Sequence, residues 1–119
     1  MVYVTLVNGF EDIEALEPVD IMRRAGISVK TAGVSGKKAT SSHDVTVEAD
    51  ISVSDINKED MEMLVLPGGP GHTNLDESSE VQDLITYALK NDIYIAAICA
   101  SPSMSTSLLR VLFTFVPGI

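Results

Sequence analysis

The chain has one cysteine, Cys99, among 119 residues. A lone cysteine excludes an internal disulfide and a thiolate zinc site, and it suits a reducing compartment. Long apolar runs are also missing. The longest stretches, IYIAAICA at 93–100 and the terminal RVLFTFVPGI, fall far short of the roughly 20 residues a bilayer span needs. The opening MVYVTLVNGF carries neither a basic segment nor a small-residue cleavage site, so no signal peptide is expected and the cytoplasm is the expected location. Basic residues are few, 8 against 17 acidic, for a net charge of −9. Such a surface repels phosphates, so neither nucleic acid nor an anionic membrane is expected as a partner. No basic cluster exceeds the pairs Arg23-Arg24 and Lys37-Lys38.

What is present is ordinary for a globular chain. The composition is 45% hydrophobic and 21% charged, and the length suits one domain spanning 1–119. Residues 2–7 (VYVTLV) are β-branched and apolar and read as a strand ended by Asn8-Gly9. Residues 11–24 read as a helix with Ile13, Leu16 and Met22 facing inward. Acids at its start and arginines at its end complement the helix dipole. Pro18 predicts a kink or a restart, and Gly26 a C-terminal cap. A short strand follows at 28–32, a hairpin or excursion at 38–48 and a polar turn or short helix at 54–60. Residues 62–66 (EMLVL) form a strand running into Pro67-Gly68-Gly69-Pro70-Gly71. Val81, Leu84, Ile85, Ala88 and Leu89 make the clearest helical stripe, capped by Ser78 or Ser79. Residues 93–98 (IYIAAI) suit a parallel strand covered on both faces. This alternation predicts a parallel sheet flanked by helices, with ligands beyond the carboxyl ends of its strands.

Cys99 lies where an apolar strand meets ASPS, which can open a helix. This is the strand–turn–helix pattern of a nucleophile elbow. A helix N-terminus stabilises a thiolate, and the N–H of Ala100 can hold a developing oxyanion. The glycines after Pro67 let the backbone approach a ligand and offer further N–H groups, although a plain turn accounts for them equally well. Glu14 can hydrogen-bond a thiolate only when protonated, and by residue type it is indistinguishable from Glu11, Asp12 and Glu17. Without further context Cys99 reads as a buried small hydrophobe.

EDIEALEPVDIMRRAG, VLPGG and AAICASP, in this order and spacing, resemble the ThiJ/PfpI superfamily. They are closest to its Parkinson-disease-linked, deglycase or glyoxalase III-like branch. The resemblance covers residues 2 to about 103 and implies a flavodoxin-like α/β fold, usually as a homodimer. It implies Cys99 as nucleophile, Glu14 as its carboxyl partner, and Gly68, Gly69 and Ala100 as surrounding backbone donors. Implied activities are hydration of glyoxal or methylglyoxal to hydroxy acids, deglycation, and redox sensing by cysteine oxidation under oxidative stress. Other branches carry chaperone and peptidase activities. Small aldehydes are the expected substrates, and no metal or cofactor is expected.

The chain departs from the pattern after Ser103. A deletion, frameshift or truncation would produce this; alternatively, 103–112 is the elbow helix and 111–116 one more strand. The family's downstream histidine has no counterpart, because the only histidines are His43 and His72. His72 follows the glycine loop and could approach the pocket, but an exposed loop position is the plainer reading. His43 occupies the place where some relatives carry an arginine near the thiol, with a hairpin surface position as its plainer reading. Four readings stand at this point: an enzyme of small aldehydes, a redox-sensing or chaperone-like protein, an amidotransferase or PfpI-type peptidase, and a fragment without function.

Overall fold

Val2–Leu6 form β1, buried along its whole length, and every principal element is arranged around it. The computed structural model describes residues 1–98. β1 is followed by α1 (Asp12–Arg24), β2 (Val29–Gly33), β3 (Lys38–Thr40), β4 (Thr46–Glu48) and β5 (Ile51–Ser52). Then come β6 (Met63–Leu66), α2 (His72–Asp76), α3 (Ser79–Lys90) and β7 (Tyr94–Ala97). The main sheet is parallel, in the order β5-β2-β1-β6-β7. β3 and β4 form a separate antiparallel ribbon. This is the expected flavodoxin-like order, with β5 extending one edge. The possible helix and strand at 103–116, and the site residues Cys99 and Ala100, lie outside the described residues.

The apolar strands are covered on both faces. Successive side chains alternate between the faces. Val2, Val4, Val65 and Ala96 pack with Val19 of α1. Tyr3, Leu64, Leu66, Ile95 and Ala97 pack with Val81, Leu84, Ile85 and Ala88 of α3. The stripe read in α3 is therefore its buried face, and the Ser78 hydroxyl caps it by accepting from the Val81 N–H at 3.2 Å.

α1 corrects two expectations. Ile13 is 64% exposed rather than inward, while Ala15 and Val19 are the buried positions. Small and β-branched side chains four residues apart let this helix lie close on the sheet. Pro18 produces no restart: the helix runs unbroken from Asp12 to Arg24 although Pro18 cannot donate to the Glu14 carbonyl. At its end Gly26 has φ +81, and the N–H groups of Gly26 and Ile27 donate to the carbonyls of Arg23 and Met22 at 3.1 and 2.9 Å. These are the two bonds of a Schellman cap.

Asp50, between β4 and β5, ties α1 to the sheet. Its Oδ2 accepts from Arg23 at 2.7 Å, from the Thr31 N–H at 2.9 Å and from the Thr31 hydroxyl at 3.1 Å. Partial burial pushes this carboxyl up, but the two Thr31 bonds and the Arg23 guanidinium together outweigh it and hold the pKa below the ordinary value. A lowered folded-state pKa stabilises the fold above the unfolded value, about 3.9. We therefore expect this contribution to be complete at neutral pH and lost as acid titrates the carboxyl through its lower folded value. Urea denaturation at pH 7 and pH 3 should show a smaller acid-induced loss in Asp50→Asn than in the wild type.

Candidate functional site

The chain leaves β1 toward α1 and β2 on one side of it, and later returns with β6 on its other side. The connections after β1 and β6 therefore diverge, and a crevice opens between the carboxyl ends of these two strands. Residues 7–11 and 67–71 form its rim. Backbone bonds hold the two loops together: the Glu11 N–H donates to the Gly68 carbonyl at 3.0 Å and the Gly71 N–H to the Gly9 carbonyl at 2.9 Å. The β3–β4 ribbon joins them, with the Gly9 N–H donating to the Thr40 carbonyl at 2.8 Å and the Thr40 N–H to Asn8 Oδ1 at 3.0 Å. Asn74 of α2 donates to the Asn8 carbonyl at 2.9 Å.

Glycine is required where these loops touch. Gly69 has φ +114, and a Cβ there would lie 2.7 Å from the Glu11 nitrogen. At Gly71 a Cβ would lie 2.2 Å from the Asn8 carbonyl oxygen. The glycine loop is thus a close approach of one strand-end loop to another.

Glu14 reaches this contact from the first turn of α1. Its Oε1 accepts the N–H of Gly68 at 3.1 Å. Of the four acids near the start of α1, Glu14 is the one with a side-chain hydrogen bond to the glycine loop among the described residues. Gly68, expected among the backbone donors around the site, donates its N–H to Glu14. At the far side of the loop, the Ile98 N–H donates to the Leu66 carbonyl at 3.1 Å, and Leu66 pairs with Ala97 in register. The chain that leads to Cys99 therefore runs beside the strand that leads to Pro67-Gly68.

His43 is separated from this contact. His43, 73% exposed at its side chain, lies 3.1 Å through Nδ1 from Asp12 Oδ1. Asp12 and Glu14 are two positions apart and do not share a helix face, so His43 is held away from the face that carries Glu14. His72 opens α2. The roles of Asn8, Asp12, Ser41 and Asn74 were not read from the sequence, where Asn8-Gly9 marked only a strand break. Ser41 is buried, and its hydroxyl donates to Asp12 Oδ2 at 2.7 Å. That bond is the main cause holding the Asp12 carboxyl below its ordinary pKa, with desolvation opposing it and His43 adding to it.

A doubly wound parallel sheet with a glycine loop and a helix-borne glutamate meeting at its strand ends defines a class of α/β proteins with a crevice site. The sequence profile of the DJ-1/PfpI family matches residues 1–111, and the chain belongs to that family. It is 40% identical over 103 residues to Protein dj-1beta of Drosophila melanogaster, covering 85% of this chain and 55% of that protein. It is 41% identical over 103 residues to the Parkinson disease protein 7 homolog of Danio rerio, covering 84% and 54%. To the glutathione-independent glyoxalase DJR-1.2 of Caenorhabditis elegans it is 29% identical over 94 residues, covering 79% and 50%. The crystal structure of Drosophila melanogaster DJ-1beta superposes with a TM-score of 0.82 at 38% identity, over 87% of this chain and 56% of that one. The chain thus spans about half the length of these relatives. No helix among the described residues is long and apolar enough to cross a membrane.

Proposed function

We propose that the chain carries a glyoxalase III or deglycase-like site for small reactive aldehydes, with Cys99 as nucleophile and Glu14 as its proton-transfer partner. The observation that carries this reading is the bond from the Gly68 N–H to Glu14 Oε1 at 3.1 Å. It fixes a carboxyl group beside the loop that adjoins the strand leading to Cys99. Further support comes from the family membership and from the glyoxalase among the relatives.

In this reading the Cys99 thiolate adds to the aldehyde carbon of methylglyoxal, and the new alkoxide takes a proton to give a hemithioacetal. Glu14 then moves a proton from that carbon toward the neighbouring carbonyl, which oxidises one carbon and reduces the next. Water releases the resulting thioester as lactate and returns the thiol. The sum is one methylglyoxal and one water to one lactate, with no external oxidant or reductant. Gly69 and Ala100 remain the proposed oxyanion donors, and Gly68 positions Glu14. The family resemblance also supports a homodimer and a cytoplasmic location as parts of the proposal.

Lactate formation from methylglyoxal, without glutathione, is the test. Turnover by the wild type and none by Cys99→Ser supports the reading. A folded wild type that makes no lactate, but converts Cys99 to a stable sulfinate under mild peroxide, would replace it with redox sensing.

A further inference from the structure

Away from the Glu14–Gly68 contact, three ionisable side chains from two elements converge at the amino end of α1. Glu11 and Asp12 come from α1 and its cap, and His43 comes from the turn between β3 and β4. One ligand atom from each lies within 4.8 Å of the other two. His43 Nδ1 is 3.1 Å from Asp12 Oδ1 and 4.0 Å from Glu11 Oε2. A divalent ion bound at about 2.1 Å in tetrahedral geometry sets its ligand atoms about 3.4 Å apart. The two separations from His43 Nδ1 bracket that value.

In both carboxylates one oxygen is anchored and the other faces the imidazole. Asp12 Oδ2 accepts from the Ser41 hydroxyl at 2.7 Å, while Oδ1 faces His43. Glu11 Oε1 accepts from the Ile13 N–H at 3.4 Å, while Oε2 faces His43. Ser41 fixes the histidine as well: its Oγ accepts from the N–H groups of His43 and Val45 at 3.2 and 3.1 Å. The Ser42 N–H docks the turn on the Phe10 carbonyl at 2.9 Å.

The geometry points to a divalent transition-metal site of zinc type formed by Glu11, Asp12 and His43. One imidazole with two carboxylates suits Zn²⁺ and Co²⁺ better than the all-oxygen preference of Mg²⁺ and Ca²⁺. The helix N-terminus disfavours a cation, but the two carboxylates supply a full charge of opposite sign each. The exposed side of His43 leaves the remaining coordination position to water. Binding replaces the hydrogen bond between Nδ1 and Asp12 with a metal bond and leaves the imidazole neutral, with its proton on Nε2. A bound ion would clamp the β3–β4 turn to the start of α1, next to the loop that carries Gly68.

The test uses the full chain carrying Cys99→Ser, which removes the thiol as a competing ligand. Titration with Zn²⁺ by calorimetry at pH 7.5 should show one equivalent bound, and Co²⁺ should give a visible absorption band on binding. Adding His43→Ala or Asp12→Asn should weaken Zn²⁺ binding at least tenfold, whereas adding His72→Ala should leave it unchanged. Both replacements at the site preserve the fold, because His43 is exposed and the amide oxygen of Asn still accepts from Ser41. No binding by the Cys99→Ser chain, or binding that survives His43→Ala at full strength, overturns the site. Because the thiol is absent throughout, either outcome is independent of aldehyde turnover.

Discussion

Glu14→Gln is expected to lower methylglyoxal turnover by roughly 10²–10⁴-fold, the usual contribution of a positioned proton-transfer group, with almost no loss of stability. The amide keeps an oxygen that can accept the Gly68 N–H now bound at 3.1 Å, so the glycine loop stays in place. What it loses is the capacity to take and return a proton. Glu14→Leu should lose as much activity and also destabilise the chain by about 1–3 kcal/mol, because it removes the acceptor of a buried backbone N–H. Lactate assays paired with urea denaturation separate the two effects. Full turnover by Glu14→Gln would remove Glu14 from the chemistry and leave it as a bracket for the loop.

Gly71→Ala is expected to cost about 3 kcal/mol or more, a cost in the range of severe steric substitutions. The added Cβ would sit 2.2 Å from the Asn8 carbonyl oxygen and 2.8 Å from the Gly9 carbonyl carbon. Both neighbours are backbone, so relief requires the two loops to separate. That separation breaks the bond from the Gly71 N–H to the Gly9 carbonyl and disturbs the Glu14–Gly68 contact, so activity falls with stability. Gly26→Ala is the control. Gly26 has positive φ, +81, but open space where its Cβ would go, so only the left-handed backbone penalty of about 1–2 kcal/mol applies. A shift in urea midpoint for Gly71→Ala no larger than that for Gly26→Ala would mean that the loops are not in contact.

Elements with a strong local signal were legible in the sequence. The α3 stripe and its Ser78 cap, the buried strands β1, β6 and β7, and the β3–β4 hairpin all follow from short-range pattern. β5 is two residues long and α2 five, too short for a periodicity to emerge, and neither was read. Ile13 was misplaced because apolar character alone does not say which side of α1 lies on the sheet; the small Ala15 decides it by allowing close approach. At the site, the glycine loop was visible as a motif, but its partner was not. Nothing in the residue type separates Glu14 from Glu11, Asp12 or Glu17, and only the family resemblance singled it out. The Asp12–Ser41–His43 group was invisible for a related reason: its members lie on segments 29 to 31 positions apart, and the fold alone brings them together.

The rim of the crevice is stitched main chain to main chain, through Gly9 to Thr40, Gly71 to Gly9 and Glu11 to Gly68. Fastenings of this kind demand glycine at the contacts themselves but place no demand on the side chains that project beyond them. Exposed positions beside the rim such as Thr73 can therefore be exchanged during evolution without dismantling the frame. A lineage with this architecture can retune which small molecules enter while the groove itself is inherited intact.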